Sequence, residues 1–332
     1  MWNRQKRVYD GVLVSVIVLL VSVFSVATLT LFPAVTAETL IIRAFGATAF
    51  VLLTFVLLIG PLARLTPRAL PLLYNRRHLG VATFLVALTH GLFALIQFHL
   101  LGDVNPVASV LSHFPDSSGG LDVPFQLLGF VALLILFAMA ATSHDFWLAN
   151  LSAPVWKALH MLVYVAYALV VGHIVFGAMQ DQGSAPLGII VSATAGSVII
   201  AHCLAGWRER DKDIDQQGEW VSVCDVDDIE ENHAEVATIG AERVAVFRYR
   251  NTLSAVSAVC QHQNGPLGEG CIIDGLITCP WHGYQYDPAT GASPAPFEER
   301  IPTFNLRLDG SAVQVQATPN APGQYVEPVR II

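Results

Sequence analysis

Charge is what this sequence has least of. Of its 332 residues, 13% are Asp, Glu, Lys or Arg, against 54% hydrophobic, and the mean hydropathy is +0.54. A chain this long and this poor in charge has too little polar surface to cover itself, which excludes an ordinary soluble protein. Cysteine is also scarce. There are five, an odd number, and no Cys-x-x-Cys-His run, which excludes covalent haem attachment. The only Gly-x-Gly, Gly268-Glu269-Gly270, opens no helix, so there is no dinucleotide turn and the chain takes no hydride from NAD(P)H itself. No nucleophile–base pair stands out, and no basic patch suits nucleic acid.

The charges that exist are unevenly placed. Residues 208–332 hold nineteen Asp/Glu against nine Lys/Arg, a net of −10, whereas residues 1–207 hold seven against nine, a net of +2. This divides the chain into a membrane domain over 1–207, a polar linker RERDKDIDQQ over 208–217, an acidic soluble domain over 218–317 and a Pro-rich extended tail over 318–332. Six runs, near 9–32, 40–63, 79–101, 123–141, 155–178 and 185–207, are apolar enough to cross about 30 Å of hydrocarbon as helices. Arg4, Lys6 and Arg7 precede the first. Arg64, Arg68, Arg76 and Arg77 lie in the second connection, and Arg208, Arg210 and Lys212 follow the sixth. The connections around 102–122 and 179–184 carry no Lys or Arg. The positive-inside rule then places both termini and the soluble domain in the cytoplasm. The first apolar run is longer than a signal-peptide core, so it is expected to be a membrane helix.

Within the soluble part stand Cys260-Gln261-His262 and, after sixteen intervening residues, Cys279-Pro280-Trp281-His282. Two thiolates for one iron and two imidazoles for the other are what a mixed-ligand [2Fe–2S] centre needs, and Cys260, His262, Cys279 and His282 are its candidate ligands. Zinc is the competitor, but its sites usually group Cys with Cys and His with His, whereas here they alternate. The surrounding CQHQNGPLGEG and CPWHGYQYD resemble the Rieske ferredoxin family over about residues 218–317. In the quinol-oxidising members each loop carries an extra Cys, and the two form a disulfide. Gly265 and Trp281 occupy those positions, and Tyr284 replaces a serine that bonds the cluster, while Tyr286 is kept. The resemblance thus implies a potential toward the low end of the Rieske range and points away from quinol oxidation. Cys203, Cys224 and Cys271 read as small buried hydrophobes in a reducing compartment.

Histidines inside membrane spans are functional candidates by default. His90 lies mid-way along the third span, with His160 and His173 toward the inner and outer ends of the fifth. The third and fifth spans run in the same direction, and His90 and His173 differ by about 10 Å in nominal depth. Imidazoles on facing helices at similar depth suit a bis-histidine haem b, against the plainer reading of hydrogen-bonded structural histidines.

NRRHLGVATFLVALTHGLF (75–93) and ATSHDFWLANLSAPVWKALHMLVYVAYALVVGH (141–173) resemble the ferric reductase-like transmembrane family over roughly residues 40–205, in particular the haem-binding membrane subunits of periplasmic methionine sulfoxide reductase systems. That resemblance implies that His90, His160 and His173 are haem ligands, one or two haems, and a bacterial inner membrane. His160 is about 20 Å along the helix from His173, with His78 as its candidate partner, although His78 reads more readily as an interfacial residue beside the arginines. Thirteen residues, however, turn a helix by about 220°, so the two do not share one stripe and His160 remains open as a structural residue. His99 and His202 read as structural, and His113, His144 and His233 as surface residues.

The expected fold is an α-helical six-span membrane bundle followed by an all-β Rieske iron–sulfur domain, with strands in EWVSVCDV, RVAVFRYR, LSAVSAVC, GLITCP, YQYDP and SAVQVQ. The expected role is an electron conduit. A cytoplasmic donor, a ferredoxin or a flavin reductase, would feed the cluster, and electrons would leave through haem toward a periplasmic acceptor enzyme. Two alternatives are a reductase acting directly on ferric or cupric ions, and a haem-and-cluster redox sensor. The partners expected are these redox proteins and membrane lipid, not nucleic acid.

Overall fold

The computed structural model describes residues 4–73, 75–100, 104–111, 125–144, 147, 151, 153–178, 185–210, 213–214, 219–239, 242–262, 265–281 and 283–331. It divides into two compact units, Met1–Ile59 with Asn75–Ala201, and Gly60–Tyr74 with His202–Ile332.

The first unit is helical. Its long helices are α1 (Arg4–Leu31), α2 (Ala37–Leu65), α3 (Arg76–Leu95), α4 (Phe125–Ala141), α5 (Ala153–Phe176) and α6 (Ala185–Arg210), of which α2 and α6 run on past its limits. Five stretches, Arg7–Leu31, Ala37–Leu65, Arg76–Leu100, Val155–Phe176 and Pro186–Arg208, are long and apolar enough to cross a membrane. The fourth expected span, α4, is apolar but has 17 residues, the lower limit of a crossing helix. Apolar side chains face outward along whole helices, as Val12, Val16, Val23 and Val26 do on α1, which suits lipid rather than water. Several polar side chains between the helices are returned to the backbone or to each other. Thr54 Oγ1 donates to Phe50 O at 2.8 Å and lies 3.1 Å from the Tyr167 hydroxyl, while Phe50 stacks on Tyr167 at 5.8 Å. Phe50, Leu53, Leu57, Leu136, Ala166, Tyr167, Val191 and Val198 form the buried core there. The end of α3 widens into a π-turn over Ile96–Leu100.

The second unit carries the β-structure, in three sheets. The largest has the order β1-β3-β4-β5-β12, formed by Asp213–Ile214, Ala234–Ile239, Glu242–Tyr249, Thr252–Ser257 and Val329–Arg330, with β9 (Thr303–Phe304) pairing β5. A second has β10 (Leu306–Asp309), β11 (Ala312–Gln316) and β2 (Trp220–Asp225). The third has β6 (Cys271–Ile273), β7 (Leu276–Thr278) and β8 (Gln285–Tyr286).

Strand β4 explains how these sheets pack. Val244, Ala245, Val246 and Phe247 are all at most 1% exposed, so both faces of the strand are covered. Its period of two sends Val244 and Val246 into a core with Val221, Leu253, Ala255, Val313 and Val315, toward the second sheet. Ala245 and Phe247 go into another core with Cys260, Cys279, Ile272, Ile277 and Tyr286, under the third. The β6–β7 hairpin turns on Asp274 and Gly275, both at positive φ, the backbone that an Asp-Gly hairpin turn adopts.

The chain end is extended, as its prolines suggest, and is also pinned. Asn320 N–H donates to Thr303 O, Val326 N–H to Ala289 O and Ile331 N–H to Asn251 O, and β12 pairs antiparallel with β5. Cys203 is exposed rather than buried, and Cys224 and Cys271 are half-buried.

Candidate functional site

The two cysteine motifs occupy two loops of the second unit. The first loop follows β5, and its neck is closed by Cys260 N–H to Gly265 O at 2.9 Å and Leu267 N–H to Ala258 O at 2.8 Å. The second follows β7 and is closed by Cys279 N–H to Tyr284 O at 2.8 Å and Gly283 N–H to Cys279 O at 2.9 Å. Gly283 sits at φ +71°, a conformation that suits glycine at the return of the loop. Cys260 and Cys279 are each 1% exposed and not in a disulfide. A Cβ on Gly265 would lie 2.8 Å from Cys279 Sγ, so the backbone of one loop packs against the thiol of the other. Of the four expected ligands, the structure thus brings Cys260, His262 and Cys279 into these adjoining loops. His282 lies outside the described residues. Among the described residues, no three His, Cys, Asp or Glu are gathered tightly enough to enclose a metal alone.

Two tyrosines back these loops and do different things. The Tyr286 side chain is fully buried; its hydroxyl accepts Gln261 N–H at 3.0 Å and lies 3.4 Å from Cys260 Sγ. The Tyr284 ring stacks on the His262 imidazole, with centroids 4.7 Å apart and planes 7° from parallel, and its hydroxyl donates to the Glu299 carboxylate. Phe297 packs on Tyr284 at 4.9 Å. Burial lowers the pKa of His262, opposed by the Glu299 carboxylate. Burial, then the bond to Glu299, raises that of Tyr284; burial, then the Cys260 thiol, raises that of Tyr286. The Tyr284 hydroxyl in turn lowers that of Glu299 against its own partial burial. Both phenols therefore remain proton donors, Glu299 stays ionised, and His262 stays in the neutral form a metal requires. Buried thiols, a neutral imidazole and a glycine backbone packed close to sulfur fit a [2Fe–2S] cluster. Zinc would accept the same donors.

In the first unit the structure brings His90 of α3 and His173 of α5 together, with ring centroids 6.1 Å apart and planes at 80°. That separation leaves room for one metal ion between the rings, at about 2 Å for each metal–nitrogen bond. Each imidazole has its other nitrogen tied to the main chain. His90 Nδ1 is 2.8 Å from Ile42 O, and His173 Nδ1 is 2.7 Å from Phe125 O. A carbonyl accepts only, so both Nδ1 atoms carry the proton and both Nε2 atoms are left as acceptors, the usual arrangement behind a metal-binding histidine. His90 and His173 would hold a haem iron through Nε2, and the haem would supply one-electron chemistry there.

The other histidines are placed differently. His160 Nδ1 donates to Trp156 O at 3.0 Å and its ring stacks on Trp156 at 3.9 Å; its Nε2 is buried with no hydrogen-bond partner among the described residues. His78, its candidate partner, places Nδ1 2.7 Å from Asp10 Oδ1. His99 is buried against Ser109, 2.8 Å from its hydroxyl. His144 is exposed and His233 half-buried, while His113 lies outside the described residues.

Glu299, Ile42, Gly46, Phe125 and Gly129 were not marked by the sequence reasoning. Glu299 follows a Pro-rich loop fifteen residues from Tyr284 and carries no local pattern. The helix positions do carry one: acceptor and histidine are 48 residues apart in both cases.

Comparison with known proteins follows the same division. Residues 219–305 match the Rieske [2Fe-2S] domain, and residues 45–171 match the ferric reductase like transmembrane component. The chain is 32% identical over 98 residues to the anthranilate 1,2-dioxygenase ferredoxin subunit of Burkholderia cepacia, covering 29% of this chain and 91% of that protein. It is 32% identical over 131 residues to the protein-methionine-sulfoxide reductase heme-binding subunit MsrQ of Ralstonia nicotianae, covering 40% of this chain and 55% of that one. Among solved structures, the ferredoxin of carbazole 1,9a-dioxygenase from Nocardioides aromaticivorans is similar at 24% identity and a TM-score of 0.28, over 30% of this chain and 98% of that one. The chain belongs to the Rieske [2Fe–2S] family through residues 219–305 and joins that domain to a ferric reductase-like transmembrane component over residues 45–171.

Proposed function

We propose that this membrane protein passes electrons between a cytoplasmic [2Fe–2S] cluster, held by Cys260, His262, Cys279 and His282, and haem b held by His90 and His173, toward an acceptor on the outer face. A Rieske domain implies a cluster that cycles by one electron, and one-electron chemistry is what a bis-histidine haem also carries. The observation that carries the reading is the His90–His173 pair, set at a one-metal separation with both Nδ1 atoms tied to carbonyls. The likeness to a protein named as a heme-binding subunit supports the same group. His160, with an unpartnered buried Nε2, is the position for a second haem.

The frame is six spans with domain limits 1–207, 208–217, 218–317 and 318–332, in a bacterial inner membrane, with both termini and the cluster on the cytoplasmic side. The arginine-free outer connections support that topology. With no nicotinamide site in the chain, the donor is a separate cytoplasmic protein, a ferredoxin or a flavin reductase, and the acceptor is a periplasmic enzyme. The description of the matched family supports a second reading, ferric ion as direct outer acceptor.

Oriented membrane vesicles test the reading. A reductant unable to cross the bilayer should reduce haem quickly only when the Rieske side faces it, and Cys279→Ser should abolish reduction by the native cytoplasmic donor. Equal rates with and without the cluster would remove it from the path.

A further inference from the structure

The two histidine cradles of the membrane bundle are the same construction used twice. In the first, Ile42 of α2 accepts from His90 of α3, and Gly46 stands one turn beyond Ile42. In the second, Phe125 of α4 accepts from His173 of α5, and Gly129 stands one turn beyond Phe125. Ile42, Gly46 and His90 map onto Phe125, Gly129 and His173 with one constant offset of 83 residues.

The contacts between the two pairs obey that offset too. Phe84 and Thr54 of the first pair correspond to Tyr167 and Phe137 of the second. Phe84 of α3 packs on Phe137 of α4 at 5.8 Å, and Tyr167 of α5 meets Thr54 of α2 at 3.1 Å. The four contacts close a ring α2–α3–α4–α5 and fall into two pairs related by the same offset.

The glycines have a physical reason to recur. Inside a helix the carbonyl of residue i already accepts the N–H of residue i+4, and the Cβ at i+4 leans back over the preceding turn. A side chain at i+4 therefore covers the second lone pair of that carbonyl. Glycine leaves it open, and the imidazole enters. A Cβ built on Gly46 would lie 2.8 Å from His90 Nδ1, and one on Gly129 would lie 2.8 Å from His173 Nδ1. Neither fits without moving the ring.

We infer that the ring α2–α5 is an internal repeat of one helix pair, and that Gly46 and Gly129 are its equivalent positioning residues. Each opens a main-chain carbonyl to an imidazole, so that His90 and His173 present Nε2 symmetrically to one metal. This rests on the haem reading above. The glycines touch no cofactor; they act through the histidines.

The test uses the full-length protein, with haem content, the low-spin ferric signal and the haem potential as readouts. Gly46→Ala and Gly129→Ala should each weaken haem retention about tenfold or more, as loss of a partner behind a ligating histidine does. The haem that remains should show an altered low-spin signal and a shifted potential in both. Gly60→Ala and Gly196→Ala, where an added methyl meets nothing within 4 Å, should match the wild type. If an alanine variant fails to reach the membrane, His90→Gly is compared with and without Gly46→Ala in the presence of free imidazole. Imidazole should restore low-spin haem only where Gly46 is kept. Alanine variants that match the controls, or an effect at only one of the two glycines, overturn the inference while leaving the haem reading in place. Wild-type protein that binds no haem overturns both.

Discussion

In the Rieske domain an imidazole is positioned by side chains, and in the helical unit by the main chain. His262 lies flat against the Tyr284 ring, which is itself held by the Glu299 carboxylate. His90 and His173 instead bond carbonyls of neighbouring helices through gaps left by Gly46 and Gly129. The difference follows from the surroundings. A β-domain in water places its site on loops, where side chains must supply rigidity, whereas apolar helices have few polar side chains to offer and use the carbonyl, which every residue has. The sites should then fail independently, and each should be sensitive to a different kind of substitution.

The sharpest break is at the cysteines. Cys279→Ser or Cys260→Ser should abolish the Rieske-type paramagnetic signal of the reduced protein, because a hydroxyl is a poor substitute for a thiolate on iron. The haem spectrum should be untouched. Conversely, the His90→Ala, His173→Ala double variant should lose its low-spin haem while the cluster signal keeps its full intensity. Full haem content in that double variant would show that other residues are the ligands.

A smaller effect is expected at Tyr286. Its hydroxyl lies 3.4 Å from Cys260 Sγ and would donate to that sulfur as a thiolate on iron, where a hydrogen bond to sulfur stabilises the more negative, reduced state. Tyr286→Phe should lower the cluster potential by about 40 mV, the one-electron equivalent of about 1 kcal/mol. Tyr284→Phe keeps the ring against His262 and removes only the bond to Glu299, so its shift in a redox titration should be smaller. A larger shift from Tyr284→Phe than from Tyr286→Phe would reverse the assignment of the two tyrosines. The smallest expected effect is ionic. Residues 208–332 carry a net charge of −10, so reduction by a donor with a basic docking face should slow as salt rises, while haem spectra stay constant.

The soluble site was legible because it is local. Cys260-x-His262 and Cys279-x-x-His282 each fit inside one loop. Among the short strands, β7 and β8 were legible in GLITCP and YQYDP, whereas β6 and β12 were not, since strands of two or three residues have no period to read. In the bundle, His90 and His173 stood out because ionisable residues are costly in hydrocarbon. Their acceptors did not, because Ile42 and Phe125 contribute only backbone and look like any lipid-facing or core residue.

The sequence by itself determined the division into an apolar and an acidic part, the candidate ligands and the family of the cluster domain. Those follow from composition and from spacing within a turn. Only the tertiary structure decided which nitrogen of each membrane histidine is engaged, that Tyr284 faces an imidazole while Tyr286 faces a thiol, and that two helix pairs 83 residues apart form one ring. Each of these depends on distances between segments far apart in the chain, which the packing of helices and sheets sets and local pattern does not.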